Sequence, residues 1–356
     1  KALQFDLKDL SSYRTQLMGV AAIMIIVCHA SASHVLMPDW LAMIMNFGNF
    51  GVDIFLFLSG IGVITPLVER IGGVIYYKRR IYRLLPAYFT IFIPLNVIYL
   101  LLGTRTFGEC SLSITALEFW FFHRGAWFIS LIIPLYFLSP LLYTALKSKG
   151  KWIWTIGLIL LLVLICSIPI EDQSKTSILN NIAGAFGRTP SFVIGMAVAK
   201  GCMDDSRVNV LWTICLFVLY LPIHRLLPNA SLEWMFVPLM LVFLTMLINR
   251  FCKFRWIDKC LSFMGRISLE SYLLNISLNS LISVLITHFS WSSPILYGKY
   301  LQYAIVVVFG TVLAFLVNLF CKRFTEEYSF IENKIKNIIM AYKIPLFNLN
   351  FDEREA

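Results

Sequence analysis

Hydrophobic residues occur along this chain in blocks of about 20, separated by shorter polar stretches. A block of that length crosses the hydrocarbon core of a bilayer as an α-helix. We therefore predict an all-α, polytopic membrane protein with about ten transmembrane helices. The predicted spans cover residues 17–37, 46–67, 84–103, 126–146, 152–170, 181–199, 208–227, 233–249, 267–288 and 300–321. The sixth span is the least regular, because Arg188, Pro190 and three glycines interrupt it.

Composition and charge support this class and argue against a nucleic-acid partner. Of the 356 residues, 59% are hydrophobic and only 14% are charged, and the mean hydropathy is +0.77. A soluble core of this size needs less apolar surface than that. The formal net charge is +10, but no basic stripe interleaved with aromatic residues lies on a soluble domain, as nucleic-acid binding requires. We expect membrane lipids as partners, and no nucleic acid.

The basic residues predict how the helices are oriented. Cytoplasmic loops of membrane proteins carry an excess of Lys and Arg. If the N-terminus, the loops after even-numbered spans and the C-terminal tail lie on one side, that side holds 24 of the 30 basic residues. We therefore predict that both termini face the cytoplasm.

We predict one transmembrane domain, residues 1–325, and a cytoplasmic tail, residues 326–356. In the tail, isoleucines recur on one helical stripe while two lysines lie off it. That pattern predicts an amphipathic helix, at about 330–342, on the inner membrane face.

The cysteines indicate neither a disulfide framework nor a metal site. The chain has eight of them, and only Cys110 falls in a predicted outer loop. No Cys-x-x-Cys pair is present, so we expect small apolar fillers and no metal ligands.

His29 lies twelve residues into the first predicted span, or roughly 18 Å at the rise of an α-helix. That depth is at or beyond the middle of the bilayer, where an ionisable side chain is costly and is a functional candidate by default. A neutral imidazole can take a proton from an alcohol. The alternative is a histidine that hydrogen-bonds between helices for packing.

Asp53 opens the second span, at a depth that can match that of His29. A carboxylate that accepts the second N–H of the imidazole would hold its tautomer and stabilise its charged form, as in catalytic triads. The alternative is an aspartate that caps free N–H groups at the start of its helix. His29 and Asp53 are thus the two catalytic candidates.

A basic cluster precedes the third span. Arg79 or Arg80 shares a helical face with Arg83, at a spacing of four or three residues. Together their forked guanidinium groups could bind phosphates, although such clusters also occur as simple positive-inside anchors. Arg14, at the cytoplasmic end of the first span, either binds an anion or extends its side chain to the interface.

Three further residues are candidates for binding an acceptor. Glu118 and Trp127 flank the outer end of the fourth span, although Trp127 also fits the aromatic belt of membrane interfaces. Arg188 lies in the interrupted sixth span, and broken helices build ligand sites in membranes. Glu270, near the inner end of the ninth span, can pair with a nearby arginine.

The order of these motifs resembles the acyltransferase-3 family of integral-membrane acyltransferases, chiefly bacterial enzymes that O-acetylate surface glycans and related acceptors. The resemblance runs through nearly all ten predicted spans in the family's order. The matching segments are residues 19–22 with His29, then 47–60, 79–88, 127–129, 135–140 and 268–273.

The resemblance implies a membrane-bound O-acyltransferase of the O-acetyltransferase type in the inner (plasma) membrane. Its donor is then cytoplasmic acetyl-CoA, and its acceptor is a hydroxyl group of a glycan, a lipid-linked sugar or another cell-envelope molecule. His29 matches the family's catalytic histidine, here a general base oriented by Asp53. The phosphates of the donor are expected on Arg80 and Arg83, with Arg79 and Arg14 as further candidates. A longer acyl group, a covalent acetyl-histidine and a homo-oligomer all remain open.

Two positions depart from the family pattern. Met18 stands where the family commonly has an arginine, and Arg14, one helical turn earlier, is the candidate substitute. Asn275 stands where many relatives have a histidine. The competing hypothesis is a glycolipid or polysaccharide transporter or flippase in which His29 and Asp53 relay protons. Transporters usually contain paired inverted halves, and we find no convincing symmetry of that kind in the sequence.

Overall fold

The computed structural model describes residues 4–32, 38–69, 73–147, 150, 153–154, 156–159, 161, 178–226, 232–290 and 299–342. Nearly all of these residues are helical, which confirms the all-α prediction. The principal helices are α1 (Lys8–Ser12), α2 (Arg14–Ala32), α3 (Asp39–Asn46), α4 (Phe50–Val68), α5 (Gly73–Leu101), α6 (Phe107–Ile114), α7 (Glu118–Phe122), α8 (Trp127–Lys147), α9 (Ile178–Phe186), α10 (Thr189–Met203), α11 (Val210–Leu226), α12 (Val237–Phe251), α13 (Arg255–Arg266), α14 (Ser268–His288) and α15 (Lys299–Tyr342).

Within those ranges, six helical segments are long and apolar enough to cross a membrane, so a multi-pass architecture is confirmed. Three shorter apolar helices, Arg14–Ala30, Val210–Leu226 and Val237–Phe251, coincide with the first, seventh and eighth predicted spans. Most of the fifth predicted span, 152–170, lies outside the described residues. The number of about ten therefore stays a prediction.

Helix α4 forms the centre of the bundle. Most of its side chains are buried, and α2, α8, α10 and α12 all contact it. Two glycines allow α4 and α10 to approach closely: a Cβ added at Gly60 would overlap the Phe192 carbonyl, and one at Gly195 would overlap the Phe57 carbonyl. Small residues of this kind let helix backbones touch in membrane proteins.

The outer helices expose apolar side chains. On α15, Val308, Phe309, Val312 and Leu316 are each more than half exposed. A soluble monomer rarely exposes such a continuous apolar surface. Lipid chains would cover this surface in a bilayer, which agrees with the membrane class.

A short antiparallel β-sheet, which the sequence analysis did not predict, closes one face of the bundle. Strand β1 (Gln4–Asp6) pairs with β2 (Arg207–Asn209), and the Lys8 ammonium lies 3.1 Å from the Asp205 carboxylate. Since β2 follows the sixth predicted span, the N-terminus and this loop share a face, as the charge count requires. That this face is cytoplasmic stays a prediction.

The basic loop after the eighth predicted span is a helix, α13, on the same face. It packs on the start of α2, where the Gln16 side-chain amide donates to the Asp258 carboxylate at 2.8 Å. A Cβ added at Gly19 or at Gly265 would overlap the backbone of the other helix, so both glycines allow the close packing.

The predicted tail helix is continuous with the last span. Helix α15 runs without a break from Lys299 to Tyr342. No Gly or Pro interrupts residues 311–342, so nothing in the sequence ends the helix where the last predicted span ends. The helix predicted at 330–342 is therefore present, but it is not a separate element. The domain boundary at residue 325 stays a prediction, and residues 343–356 lie outside the described residues.

Candidate active site

Helix α2 carries His29 about one turn before its end at Ala32. The imidazole Nδ1 lies 2.6 Å from Asn275 Oδ1, and the ring centroid lies 6.4 Å from that of Tyr272. Both partners belong to α14, so the imidazole is directed between helices and not towards the lipid. Measured from Arg14, His29 lies about 22 Å along the helix.

The hydrogen bonds of Asn275 extend to a third helix. Asn275 Nδ2 donates to the Tyr303 hydroxyl at 3.3 Å, and the Tyr303 hydroxyl donates to the backbone carbonyl of Ile26. Asn275 and Tyr303 are both buried. This chain of hydrogen bonds therefore begins at His29 and ends at Ile26, and both residues belong to α2.

Asp53 is fully buried, but its partners among the described residues belong to the region of Arg188 and Ser191 and do not include His29. Its Oδ2 is 2.5 Å from the Arg188 guanidinium, and its Oδ1 accepts a hydrogen bond from Ser191 at 2.9 Å. The side chain that contacts the imidazole Nδ1 is instead Asn275. The physical reason is that a guanidinium compensates a buried carboxylate far better than a neutral imidazole does.

A cavity of about 260 Å³ extends from the basic residues to the neighbourhood of His29, although His29 itself does not line it. Along α2 its lining runs from Arg14 through Met18 to Ile25, about 16 Å at the helical rise. Ile25 precedes His29 by one turn on the same helical face. Tyr272, whose ring neighbours His29, lines the cavity as well.

Arg14 and Arg80 converge on the middle and C-terminal half of α4. Pro66 has no N–H, so it leaves the carbonyl four residues before it, that of Gly62, without its helical partner. Arg80 donates to this carbonyl at 2.5 Å. The Arg14 guanidinium donates to the Leu58 carbonyl at 3.3 and 3.4 Å. The carbonyl that Pro66 leaves free within α4 thus helps to hold the Arg80 guanidinium at the cavity.

Arg83 lies on the same side of α5 as Arg80 and also lines the cavity. It is half exposed and its guanidinium is 3.6 Å from the buried carboxylate of Glu270, which confirms that Glu270 pairs with an arginine. Arg79 is exposed and is absent from the cavity lining. Around the helix Arg79 lies about 40° from Arg83 and about 100° from Arg80, so the spacing alone does not exclude it from the cavity. The packing around α5 does, since it leaves Arg79 exposed.

Of the three residues predicted to bind the acceptor, Arg188 and Trp127 lie close together, whereas Glu118 has a different partner. Arg188 lies at the break between α9 and α10, with its guanidinium 5.6 Å from the Trp127 ring and 3.4 Å from the Glu233 carboxylate. Glu118 is buried and pairs instead with Arg105 at 2.9 Å. Their binding role stays a prediction.

The sequence analysis did not assign roles to Tyr272 and Tyr303, and it noted Asn275 only as a departure from a family pattern. Polar side chains within apolar spans are the signal that points to such residues. Across the described ranges, no group of three His, Cys, Asp or Glu residues is arranged to hold a metal ion.

Comparison with known proteins identifies the family. A family model described as an acyltransferase domain, of the acyltransferase-3 type, matches residues 16–322. No curated protein and no solved structure matches the chain significantly. The matched region runs from the start of α2 into α15, and it includes His29 together with the whole cavity lining except Arg14. The chain therefore belongs to the acyltransferase-3 family and is a multi-pass membrane acyltransferase.

Proposed function

We propose that the protein is an O-acetyltransferase of the inner (plasma) membrane, with acetyl-CoA as its cytoplasmic donor and a hydroxyl group of a glycan or another cell-envelope molecule as its acceptor. The observation that carries this proposal is the cavity that joins three arginines to the surroundings of His29. Membership of the family supports acyl transfer as the reaction type.

The basic end of the cavity suits the phosphates of a coenzyme A thioester. Arg14, Arg80 and Arg83 bring three positive charges together, and Glu270 is the carboxylate that pairs with one of them. Arg80 Nε is buried and has no hydrogen-bond partner among the described residues. Forked guanidinium donors with excess charge are the groups that bind phosphate best.

The size of the cavity favours the narrow arm of the donor over its nucleotide. At about 260 Å³, it is below the usual range for pockets that enclose a drug-sized ligand. The thioester arm would extend along α2 towards Tyr272, while the nucleotide and its phosphates would stay at the mouth. There Arg83 is half exposed.

In the proposed reaction, His29 accepts the proton of the acceptor hydroxyl as its oxygen attacks the thioester carbonyl. A C–O bond forms, the C–S bond breaks, and the departing thiolate takes the proton from the imidazolium. The Tyr272 hydroxyl accepts a weak hydrogen bond from the Phe128 N–H at 3.4 Å. Its own proton can therefore stabilise the negative charge that develops on the carbonyl oxygen.

Release of the coenzyme A thiol by purified protein tests this proposal directly. With acetyl-CoA and a panel of hydroxyl acceptors, we expect acceptor-dependent thiol release that His29→Ala lowers at least 10²-fold, the scale of general-base catalysis. Gel filtration and thermal unfolding would check that the variant is folded. Substantial residual activity in a folded His29→Ala protein would remove the catalytic role of this residue.

The transporter hypothesis requires His29 and Asp53 to exchange protons. Asp53 is engaged with Arg188 and Ser191, and Asn275 holds the imidazole Nδ1. These contacts favour the enzyme over the proton relay.

A further inference from the structure

The hydrogen bonds among His29, Asn275, Tyr303 and the Ile26 carbonyl form a chain. Because the Ile26 carbonyl can only accept, it determines which group donates in every other hydrogen bond of the chain. We propose that Asn275 and Tyr303 are positioning residues that hold His29 in the tautomer protonated on Nδ1, so that Nε2 is the nitrogen that accepts the proton. This inference rests on the proposed role of His29 as a general base.

The direction of the chain starts at Ile26. A backbone carbonyl can only accept, so the Tyr303 hydroxyl must donate to it. The hydroxyl oxygen then has lone pairs left for the Asn275 side chain, which lies 3.3 Å away through Nδ2. The NH₂ group of the amide therefore faces Tyr303.

Once the NH₂ group faces Tyr303, the amide oxygen faces His29. Asn275 Oδ1 lies 2.6 Å from Nδ1, and an amide oxygen has no proton to give, so Nδ1 must carry one. Turning the amide over would set its oxygen against the Tyr303 oxygen, with both groups buried. Buried polar groups without a complementary partner are costly, so the amide holds one orientation.

Tyr303 is needed because Asn275 is an amide and not a carboxylate. Both oxygens of a carboxylate are acceptors, so either orientation selects the Nδ1–H tautomer, as in catalytic triads. An amide presents an acceptor on one side and a donor on the other. It selects a single tautomer only if a third group orients it, and in this protein that group is the Tyr303 hydroxyl.

Nitrogen-15 NMR of the histidine side chains in the full-length protein tests the proposal without any activity measurement. The chain has five histidines, and a His29→Gln sample identifies the signals of His29. In the native protein we expect Nδ1 of His29 in the protonated range and Nε2 in the unprotonated range. The opposite pattern would overturn the proposal.

A double-mutant cycle then separates orientation from packing. In Tyr303→Phe the two amide orientations become comparable, so we expect averaged nitrogen shifts and a kcat about twofold lower, with KM for acetyl-CoA unchanged. In the Asn275→Asp background the same Tyr303→Phe change should alter neither the tautomer nor kcat, because a carboxylate cannot be misoriented. An equal loss in both backgrounds would mean that Tyr303 acts through packing alone, which would refute the proposal.

Two further variants set the limits of the effect. Asn275→Leu removes the acceptor, and we expect kcat to fall by at least tenfold and at most about 10⁴-fold, the loss seen when a protease histidine adopts the wrong tautomer. Tyr99→Phe is the matched control, because it also deletes a buried tyrosine hydroxyl that bonds to α14. That hydroxyl donates to the Ser280 hydroxyl at 3.0 Å. The Tyr99→Phe variant should leave the His29 signals unchanged. If His29→Ala stays active while the NMR pattern holds, the proposed function fails and the tautomer assignment stands.

Discussion

Replacing Arg80 with glutamine should weaken binding of the acyl donor while leaving the chemical step intact. The Arg80 guanidinium carries five N–H donors, and the Gly62 carbonyl takes one of them at 2.5 Å. Its flat group lies 5.6 Å from the ring centroids of Tyr76 and Tyr136, so it is held in place before any ligand arrives. The remaining donors are available to a phosphate at the cavity.

The expected size of the effect follows from the lost hydrogen bonds. A hydrogen bond to a charged group is worth about 1.5–3 kcal/mol. At about 1.4 kcal/mol per factor of ten, the KM for acetyl-CoA should rise about 10- to 150-fold. Because Arg80 is proposed to bind the phosphates and not the thioester, kcat should change little. Arg80→Lys keeps the positive charge but loses the paired donors of the guanidinium, so its KM should lie between those of the native protein and Arg80→Gln.

Arg79→Gln is the matched control for this experiment. It removes the same charge from the neighbouring position of the same helix, but Arg79 is exposed and does not line the cavity. Initial rates of thiol release, measured over a range of acetyl-CoA concentrations, give KM and kcat for each variant. The reasoning would be refuted if Arg79→Gln raised KM as much as Arg80→Gln did, or if Arg80→Gln left KM within about twofold of the native value.

Two further predictions concern the stability of the bundle, measured by thermal or denaturant unfolding in detergent. Asp53→Asn leaves Arg188 without its closest buried partner, so the free energy of unfolding should fall by about 3–5 kcal/mol. The double variant Asp53→Asn with Arg188→Met should recover most of that loss. An unchanged unfolding midpoint in Asp53→Asn would contradict a structural role for the pair. Gly60→Ala drives a methyl group into the Phe192 carbonyl and should cost at least about 1–3 kcal/mol. Gly184→Ala, which has open space around it, should be neutral or stabilise by up to about 1 kcal/mol, and equal losses in the two glycine variants would contradict the close helix contact.

Helical spans and shared helical faces could be predicted from the chain because both depend on neighbours within a few residues. Blocks of about 20 apolar residues identify membrane helices by length alone. Likewise, the spacing of Arg80 and Arg83 requires a common face in any helix that contains them. The effect of Pro66 is also local, since it frees a carbonyl four residues earlier wherever the helix packs.

The partners of buried polar groups could not be predicted in this way. In the sequence, His29 and Asp53 are natural candidates for a pair, because both are ionisable and both lie within predicted spans. In the structure His29 instead meets Asn275, 246 residues later, and Asp53 meets Arg188, 135 residues later. Which polar groups meet depends on how several helices rotate and pack, and on which pairing best compensates a buried charge.

The apolar periodicity of the chain was therefore enough to establish a helical membrane protein, and local spacing was enough to mark a basic face and a histidine within a predicted span. Only the packed bundle shows that a cavity leads from that face to Ile25 and Tyr272 beside the histidine, that Arg79 does not line it, and that an amide, not a carboxylate, lies against the imidazole. Local patterns reflect interactions over a few residues, whereas these contacts join helices that are distant in the chain.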